Sequence, residues 1–283
     1  MSLAEHRRAV TWLRSQYEVS ERRACQAMNM HRSSYRYGGR QALLDEAYQG
    51  TVSLSRQYPY WGYRKIYDLL RGDGVPISRE RVRAIRRREG LQVHRKACSR
   101  KHVGHSGNSI ARKRPQHVGH VWGLDFVHDE TTDGRLLRWL TVIDEYSRFN
   151  LSVEVRRNFP STSVVALLDE LVAKYGYPDS IRCDNGPELI SKTLKKWAKN
   201  KTAVLYIAPG SPWENGYTER FNGTFRAELL DQERFNHILE ARVVALDWRA
   251  GYNQQRPHTS LNDRTPTEVF REGLKKGSIK RLS

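Results

Sequence analysis

A basic, helical N-terminal part followed by an α/β domain is the fold class that three features of this 283-residue sequence predict. The first is charge: residues 1–120 carry 25 basic and 9 acidic residues and the remainder 24 and 22, so the formal +18 divides into +16 and +2. The second is a switch of hydrophobic pattern at Val121, from helical spacing to alternation. The third is the order of elements after that point, three strands followed by helix, strand, helix, strand, helix.

The N-terminal elements follow from caps and apolar spacing. Helices are expected at Arg7–Gln16 and Glu21–Met28, with Ser20 as N-cap, then a turn and a short Arg32–Tyr37 segment of helix-turn-helix proportions. A second unit spans Gly62–Leu91: Ile66, Leu69 and Leu70 share a face, Arg71-Gly72-Asp73-Gly74 turns, and Ser78 caps an arginine-rich helix, Arg79–Glu89. Val82 and Ile85 are expected to point inward and Arg83, Arg86 and Arg87 outward, with Arg88 completing a DNA-facing set. The densest basic stretch, Arg81–Arg114, holds a single acid, Glu89, and is dominated by arginine, whose planar fork suits phosphate. Nucleic acid is therefore the expected partner, with a solvated helix face and basic linker as the plainer alternative.

Residues 93–118 read as a linker. His94, Cys98, His102 and His105 invite a zinc reading, but their spacing matches no paired-ligand pattern, so they are taken as part of a basic, nucleic-acid-facing segment.

Beyond the linker, strands are expected at Val121–His128, Leu136–Ile143 and Phe149–Val155, a Ser161-capped helix buries Val164, Val165, Leu168, Leu171, Val172 and Tyr175, and Ser180–Cys183 is a strand ending at Asp184. Leu189–Lys199 is helical, Ala203–Ile207 a strand, Glu214–Leu230 a helix and Ile238–Tyr252 a last helix before a polar tail containing Arg256-Pro257-His258. This is the element order of a ribonuclease-H-like domain with a mixed five-stranded sheet. The expected boundaries are 1–57 and 58–92 for two helical regions, 93–118 for the linker, 119–235 for the core and 236–283 for the C-terminal helix and tail.

Such a core would bring together Asp125 in the first strand, Asp184 at the end of the fourth and Glu219 in the helix after the fifth. Carboxylate oxygens suit hard divalent cations, and two such ions can activate an attacking oxygen and stabilise a leaving one at phosphorus. Asp144 is read as a structural hydrogen-bonding group, with support of the site as the alternative. Trp122 and Trp213 are read as packing anchors, the latter also placed to stack on a base; Cys183 is a buried filler, and Glu188 and Glu214 favour helix N-termini.

The words around the three acids carry a resemblance. Trp122-Gly123-Leu124-Asp125-Phe126, Arg182-Cys183-Asp184-Asn185-Gly186-Pro187-Glu188 and the run from Ser211 to Thr224 resemble the signature segments of insertion-sequence transposases of the IS-three family. The likeness is to the second-reading-frame product, whose core is similar to retroviral integrases, and it extends to Tyr58-Pro59-Tyr60-Trp61-Gly62-Tyr63-Arg64 and to Arg256-Pro257-His258. It implies an integrase core preceded by an all-α helix-turn-helix-type DNA-binding region, and a catalytic and metal-binding triad of Asp125, Asp184 and Glu219 using two Mg2+ or Mn2+ ions. It also implies that Asn215 and Arg226 touch the DNA end. One departure is visible: 34 residues separate Asp184 from Glu219, one fewer than the family spacing, a difference expected in the loop between Trp197 and Leu205.

The implied partners are double-stranded DNA at element ends and target, a homo-oligomer on that DNA, and an upstream-reading-frame product as partner or fusion. No apolar run is long enough for a membrane span, and Glu5, His6, Arg7 and Arg8 stand where a signal peptide would be apolar, so a bacterial cytoplasmic, nucleoid-associated location is expected. Three alternatives share the basic surface: a non-catalytic DNA-binding regulator, an inactive transposase copy, and a nuclease that cleaves without joining. Metal-dependent cleavage followed by joining discriminates among them.

Overall fold

The structure is a computed structural model that describes residues 3–93, 114–207 and 215–276. Five helices come first: α1 (Leu3–Tyr17), α2 (Glu21–Ala27), α3 (Arg32–Gln57), α4 (Tyr63–Gly72) and α5 (Arg79–Arg88). Ser20 caps α2 by accepting from the Arg23 N–H, and Ser78 caps α5 by accepting from the Arg81 N–H, both as the sequence predicts. The turn after α4 closes at Gly74, whose φ of +79° a side chain would disfavour. The short segment expected at Arg32–Tyr37 is instead the start of a 26-residue helix. Its weak amphipathicity hides it from periodicity, because each end serves a different small core. Val10, Ala24, Cys25 and Met30 form one core with Tyr35, and Trp61, Ile66, Leu70 and Val82 form the other with Leu54 and Tyr58.

The chain divides into two compact units, α1–α5 forming the first. The second contains β1 (Val121–Glu130), β2 (Leu136–Asp144), β3 (Asn150–Arg156), α6 (Ser161–Tyr175), β4 (Ser180–Cys183), α7 (Lys192–Ala198), β5 (Ala203–Tyr206), α8 (Gly216–Phe225), α9 (Ile238–Gln254) and α10 (Pro266–Lys275). The sheet order is β3-β2-β1-β4-β5, with β1, β2 and β3 antiparallel and β1, β4 and β5 parallel. That is the ribonuclease-H-like sheet the element order predicts.

Alternation decides what each face of the sheet meets. Trp122, Leu124, Leu140, Val142, Ile181 and Cys183 point to one side, where α6 and α7 cover them. Val127, Trp139 and Ile143 point to the other, against α8 and α9. Each fully buried aliphatic side chain contributes roughly 1.5–3 kcal/mol relative to exposure, so these two layers fix the sheet between its helices. A register irregularity at Val142/Ile143 lets Leu151 join the first layer while Val153 and Val155 join the second.

Several expected details change. Pro160, not Ser161, occupies the N-cap of α6, without a side-chain cap. Helix α7 starts at Lys192, because Ser191 caps it by accepting from the Leu194 N–H. The expected Glu214–Leu230 helix is α-helical only to Phe225 and continues as a π-helical turn, Arg226–Leu230. The polar tail contains α10, opened by a capping box in which Thr265 accepts from the Glu268 N–H and the Glu268 carboxylate accepts from the Thr265 N–H. Phe270 of α10 stacks on Phe149 at 4.3 Å between centroids and enters the first core layer. The zinc reading of His94, Cys98, His102 and His105, and the readings of Trp213 and Glu214, lie outside the described residues. No described helix is long and apolar enough to cross a membrane.

Candidate active site

Strand register places the first two acids. Gly123 pairs with Arg182 across the parallel β1–β4 ladder, and carrying that register two residues onward sets Asp184, one step past the end of β4, beside Asp125. Neighbouring strands lie about 4.8 Å apart and in-register parallel residues face the same way. Both carboxylates therefore project from the α8 side of the sheet, since Leu124 and Cys183 occupy the opposite side.

Glu219 arrives by helix docking. Thr218, fully buried, lies so close to Gly123 that a methyl group built there would collide with its Oγ1. One turn later Asn222 donates from Nδ2 to Asp125 Oδ2 at 2.8 Å and accepts at Oδ1 from the Thr141 hydroxyl at 2.9 Å. Thr141 is the residue paired with Asp125 on β2. The Thr141 hydroxyl also lies 3.2 Å from the Asp125 carbonyl, and with its oxygen turned to Thr141 the Asn222 amide presents its N–H to the carboxylate. Glu219 is exposed in the first turn of α8, where the helix N-terminus favours its charge.

Asp125 feels the other two acids. Asp125 is pushed up to about 6, first by burial and then by the negative charges of Asp184 and Glu219, while the Phe126 N–H and Asn222 hold it down. Among the described residues no three His, Cys, Asp or Glu side chains converge on a common point for an ion. The donor chemistry nonetheless fits a hard divalent cation, being carboxylate-only and electrostatically strained in the way a bound cation relieves.

The neighbours have structural work. Arg182 pairs with Glu145 at 3.0 Å, both buried beside Gly123. Arg138 meets Glu188 at 2.7 Å and holds its carboxyl below the usual range, tying β2 to the loop after Asp184. Glu188 is therefore an ion-pair partner, a correction to its expected role at a helix N-terminus. Asp144 is fully buried and accepts from the Gly119 N–H, the Ser147 N–H and the Ser147 hydroxyl, which supports the structural reading. Burial and Asp184 push the Cys183 thiol up to about 12, in keeping with an inert filler. Trp122 is fully buried, the packing anchor expected.

Comparison with known proteins identifies the family. The integrase core domain family matches residues 115–212, a second integrase core domain family residues 200–266, and the HTH-like domain family residues 53–102. The uncharacterized 31.7 kDa protein of insertion element IS407 from Burkholderia multivorans is 33% identical over 258 residues, covering 90% of this chain and 92% of the relative. The chain belongs to the IS-three family of insertion-element transposases. The uncharacterized 39.2 kDa protein of insertion element IS476 from Xanthomonas euvesicatoria is 31% identical over 264 residues, 93% of this chain and 75% of the relative. The HTLV-2 integrase catalytic core domain, in its dimeric form, is 19% identical with a TM-score of 0.42 and covers 56% of this chain and 99% of that one.

For this transposase-family chain the other expected contacts divide. Asn215 is buried at the N-cap of α8, its Oδ1 without a hydrogen-bond partner among the described residues, so it does not stand on an exposed face. Arg226 is exposed and donates to the His128 carbonyl at 2.7 Å. Arg83, Arg87 and Arg88 are exposed on α5. Arg86 is not: it is buried, donating to the carbonyls of Trp61 and Leu91, so it braces the helical unit instead of facing outward. Helical spacing assigns a residue to a boundary position, and Arg86 lies where the backbone leaves carbonyls unmet.

Asn222, Thr141 and Gly123 were not singled out by sequence reasoning. Asn222 had a legible signal, standing three residues after Glu219 on one helix face. Thr141 had none, because its place depends on the antiparallel register.

The Arg256-Pro257-His258 word is also structural. Arg256 makes a bidentate, largely buried pair with Glu228 of the π turn, at 2.8–3.1 Å, and His258 packs edge-on against Tyr252. Asn253 caps the edge strand, donating to the Asn150 carbonyl and accepting from its N–H, both at 2.9 Å.

Proposed function

We propose that this chain is an active transposase that binds the ends of its element in double-stranded DNA and carries out metal-dependent strand cleavage followed by strand transfer. The observation that supports this best is the set of three carboxylates on one face of the core, Asp125 beside Asp184 in strand register, with Asp125 raised in part by the charges of Asp184 and of Glu219 on α8. These three would hold magnesium or manganese ions, which when bound neutralise phosphate charge and activate oxygen for in-line displacement at phosphorus. Asp125 on β1 and Asp184 immediately past the end of β4 fix the site, Glu219 closes it from the helix, and Asn222 orients Asp125. Positioning and charge neutralisation are the main protein contributions to phosphoryl transfer.

In this reading the helical unit and its linker hold DNA, the core performs the chemistry, and assembly on two ends requires more than one copy, with or without an upstream-frame partner. The test is Asp125→Asn, Asp184→Asn and Glu219→Gln in the full chain, assayed with DNA carrying the element's ends. Each is expected to retain DNA binding and lose both cleavage and joining. If all three still cleave and join, the triad is wrong; if the unaltered chain binds these ends but cuts nothing with either metal, with and without the partner, the non-catalytic regulator replaces the transposase.

A further inference from the structure

The helical unit contains a cleft of about 480 Å³ whose walls include Gly62, Tyr63, Arg83, Arg86, Arg87 and Gln92. Among the described residues no carboxylate lines it. Arg83 and Arg87 stand one turn apart on α5, where like charges repel, and among the described residues neither is in an ion pair. Arg83 lies over the Tyr63 ring at 5.8 Å, which holds its guanidinium at the rim. Arg86 forms part of the wall while bonding the carbonyls of Trp61 and Leu91, which holds its guanidinium in place.

Gly62 adds an independent indication. Its φ is −68°, open to any residue, and a Cβ there would meet nothing within 4 Å. Neither backbone nor packing requires glycine at this position. Glycine leaves the backbone here open to close approach, in the way that glycines admit phosphates elsewhere.

We propose that this cleft is a seat for a backbone phosphate of duplex DNA, with Arg83 and Arg87 as its two forks and Gly62 as the point of close approach. This rests on the reading that the chain binds DNA, and it relocates the contact from the outward face of α5 to the cleft beside α4. The aromatic word Tyr58–Arg64 then has a role: Trp61, stacked on Tyr58 at 4.1 Å, anchors the segment, its carbonyl receives Arg86, and Gly62 and Tyr63 are presented to the ligand.

The test uses the full chain and a labelled mixed-sequence duplex of about 30 base pairs, followed by anisotropy across a salt series, because phosphate contacts are sequence-independent. Arg83→Gln and Arg87→Gln are each expected to lower affinity, and together to flatten the slope of log K against log salt by about 0.9, the weight of one phosphate. Arg71→Gln and Arg81→Gln, exposed but outside the cleft, should flatten it by less than half as much. Gly62→Asn, which supplies a good N-cap, should keep the melting temperature while weakening binding. Equal effects from Arg71 and Arg81, or unchanged slopes in the Arg83 and Arg87 variants, would overturn the cleft while leaving DNA binding standing. Loss of competition by inorganic phosphate in those variants with an unchanged DNA slope would make it a small-anion site and also overturn the proposal. Failure of the unaltered chain to bind the duplex would instead sink the DNA-binding reading itself.

Discussion

Thr218 lies against Gly123 with no room for a methyl group between them, and this contact docks the first turn of α8, which carries Glu219, against β1. Gly123→Ala is expected to cost about 1–3 kcal/mol by overpacking and to depress cleavage further than that loss explains. Thr218→Ala in the same chain removes the colliding oxygen and should restore part of both. Denaturant unfolding and cleavage rates of the two single variants and the double variant measure the coupling, and purely additive effects would show that the contact does not position the helix.

The raised carboxyl of Asp125 makes stability depend on pH in a defined direction. Its folded value, about 6, lies above the ordinary 3.8, so the folded state holds the proton more tightly than the unfolded state. The metal-free protein should therefore lose stability as pH rises from about 4 to 6, by up to about 3 kcal/mol from this group. Asp125→Asn should remove that dependence, and added Mg2+ should stabilise the unaltered chain more at pH 8 than at pH 5. Thermal unfolding across pH, with and without Mg2+, reads both effects.

Asn222 lowers the Asp125 value by donating to it. Asn222→Ala should move the acidic limb of the cleavage profile to higher pH and reduce the rate at neutral pH. Asn222→Asp, which adds a fourth negative charge, should move the limb further. A pH–rate profile that keeps its shape in both variants would assign Asn222 to packing alone.

Arg256 and Glu228 are about nine-tenths buried and bond through both carboxylate oxygens. Removing one partner leaves a charge in poor solvent, so Arg256→Ala or Glu228→Ala is expected to cost about 3 kcal/mol. DNA binding by the helical unit should be unaffected. Urea unfolding of the two variants, beside duplex affinity, separates a structural clamp from a DNA contact.

Much of the fold was legible because its signals are local. The alternation at Val121–His128, the caps at Ser20 and Ser78, and the short apolar run Ser180–Cys183 each describe a few neighbouring residues. The capping-box signature at Thr265–Glu268 was equally local but stood in a stretch read as a polar tail. The length of α3 was not legible, because its two ends answer to two separate cores. In the site, the acidic words around Asp125, Asp184 and Glu219 could be read directly, whereas the Arg138–Glu188 and Arg182–Glu145 pairs could not, their members standing 50 and 37 residues apart.

By itself the sequence determined the charge division, the order of elements from β1 to α9, and the family words that surround the three acids. Tertiary structure alone decided that Arg86 turns inward to unmet carbonyls, that Gly123 admits α8, and that Thr141 and Asn222 hold Asp125. The physical reason is that charge and periodicity belong to short stretches of chain, while hydrogen-bond satisfaction and close packing depend on which distant backbone comes alongside.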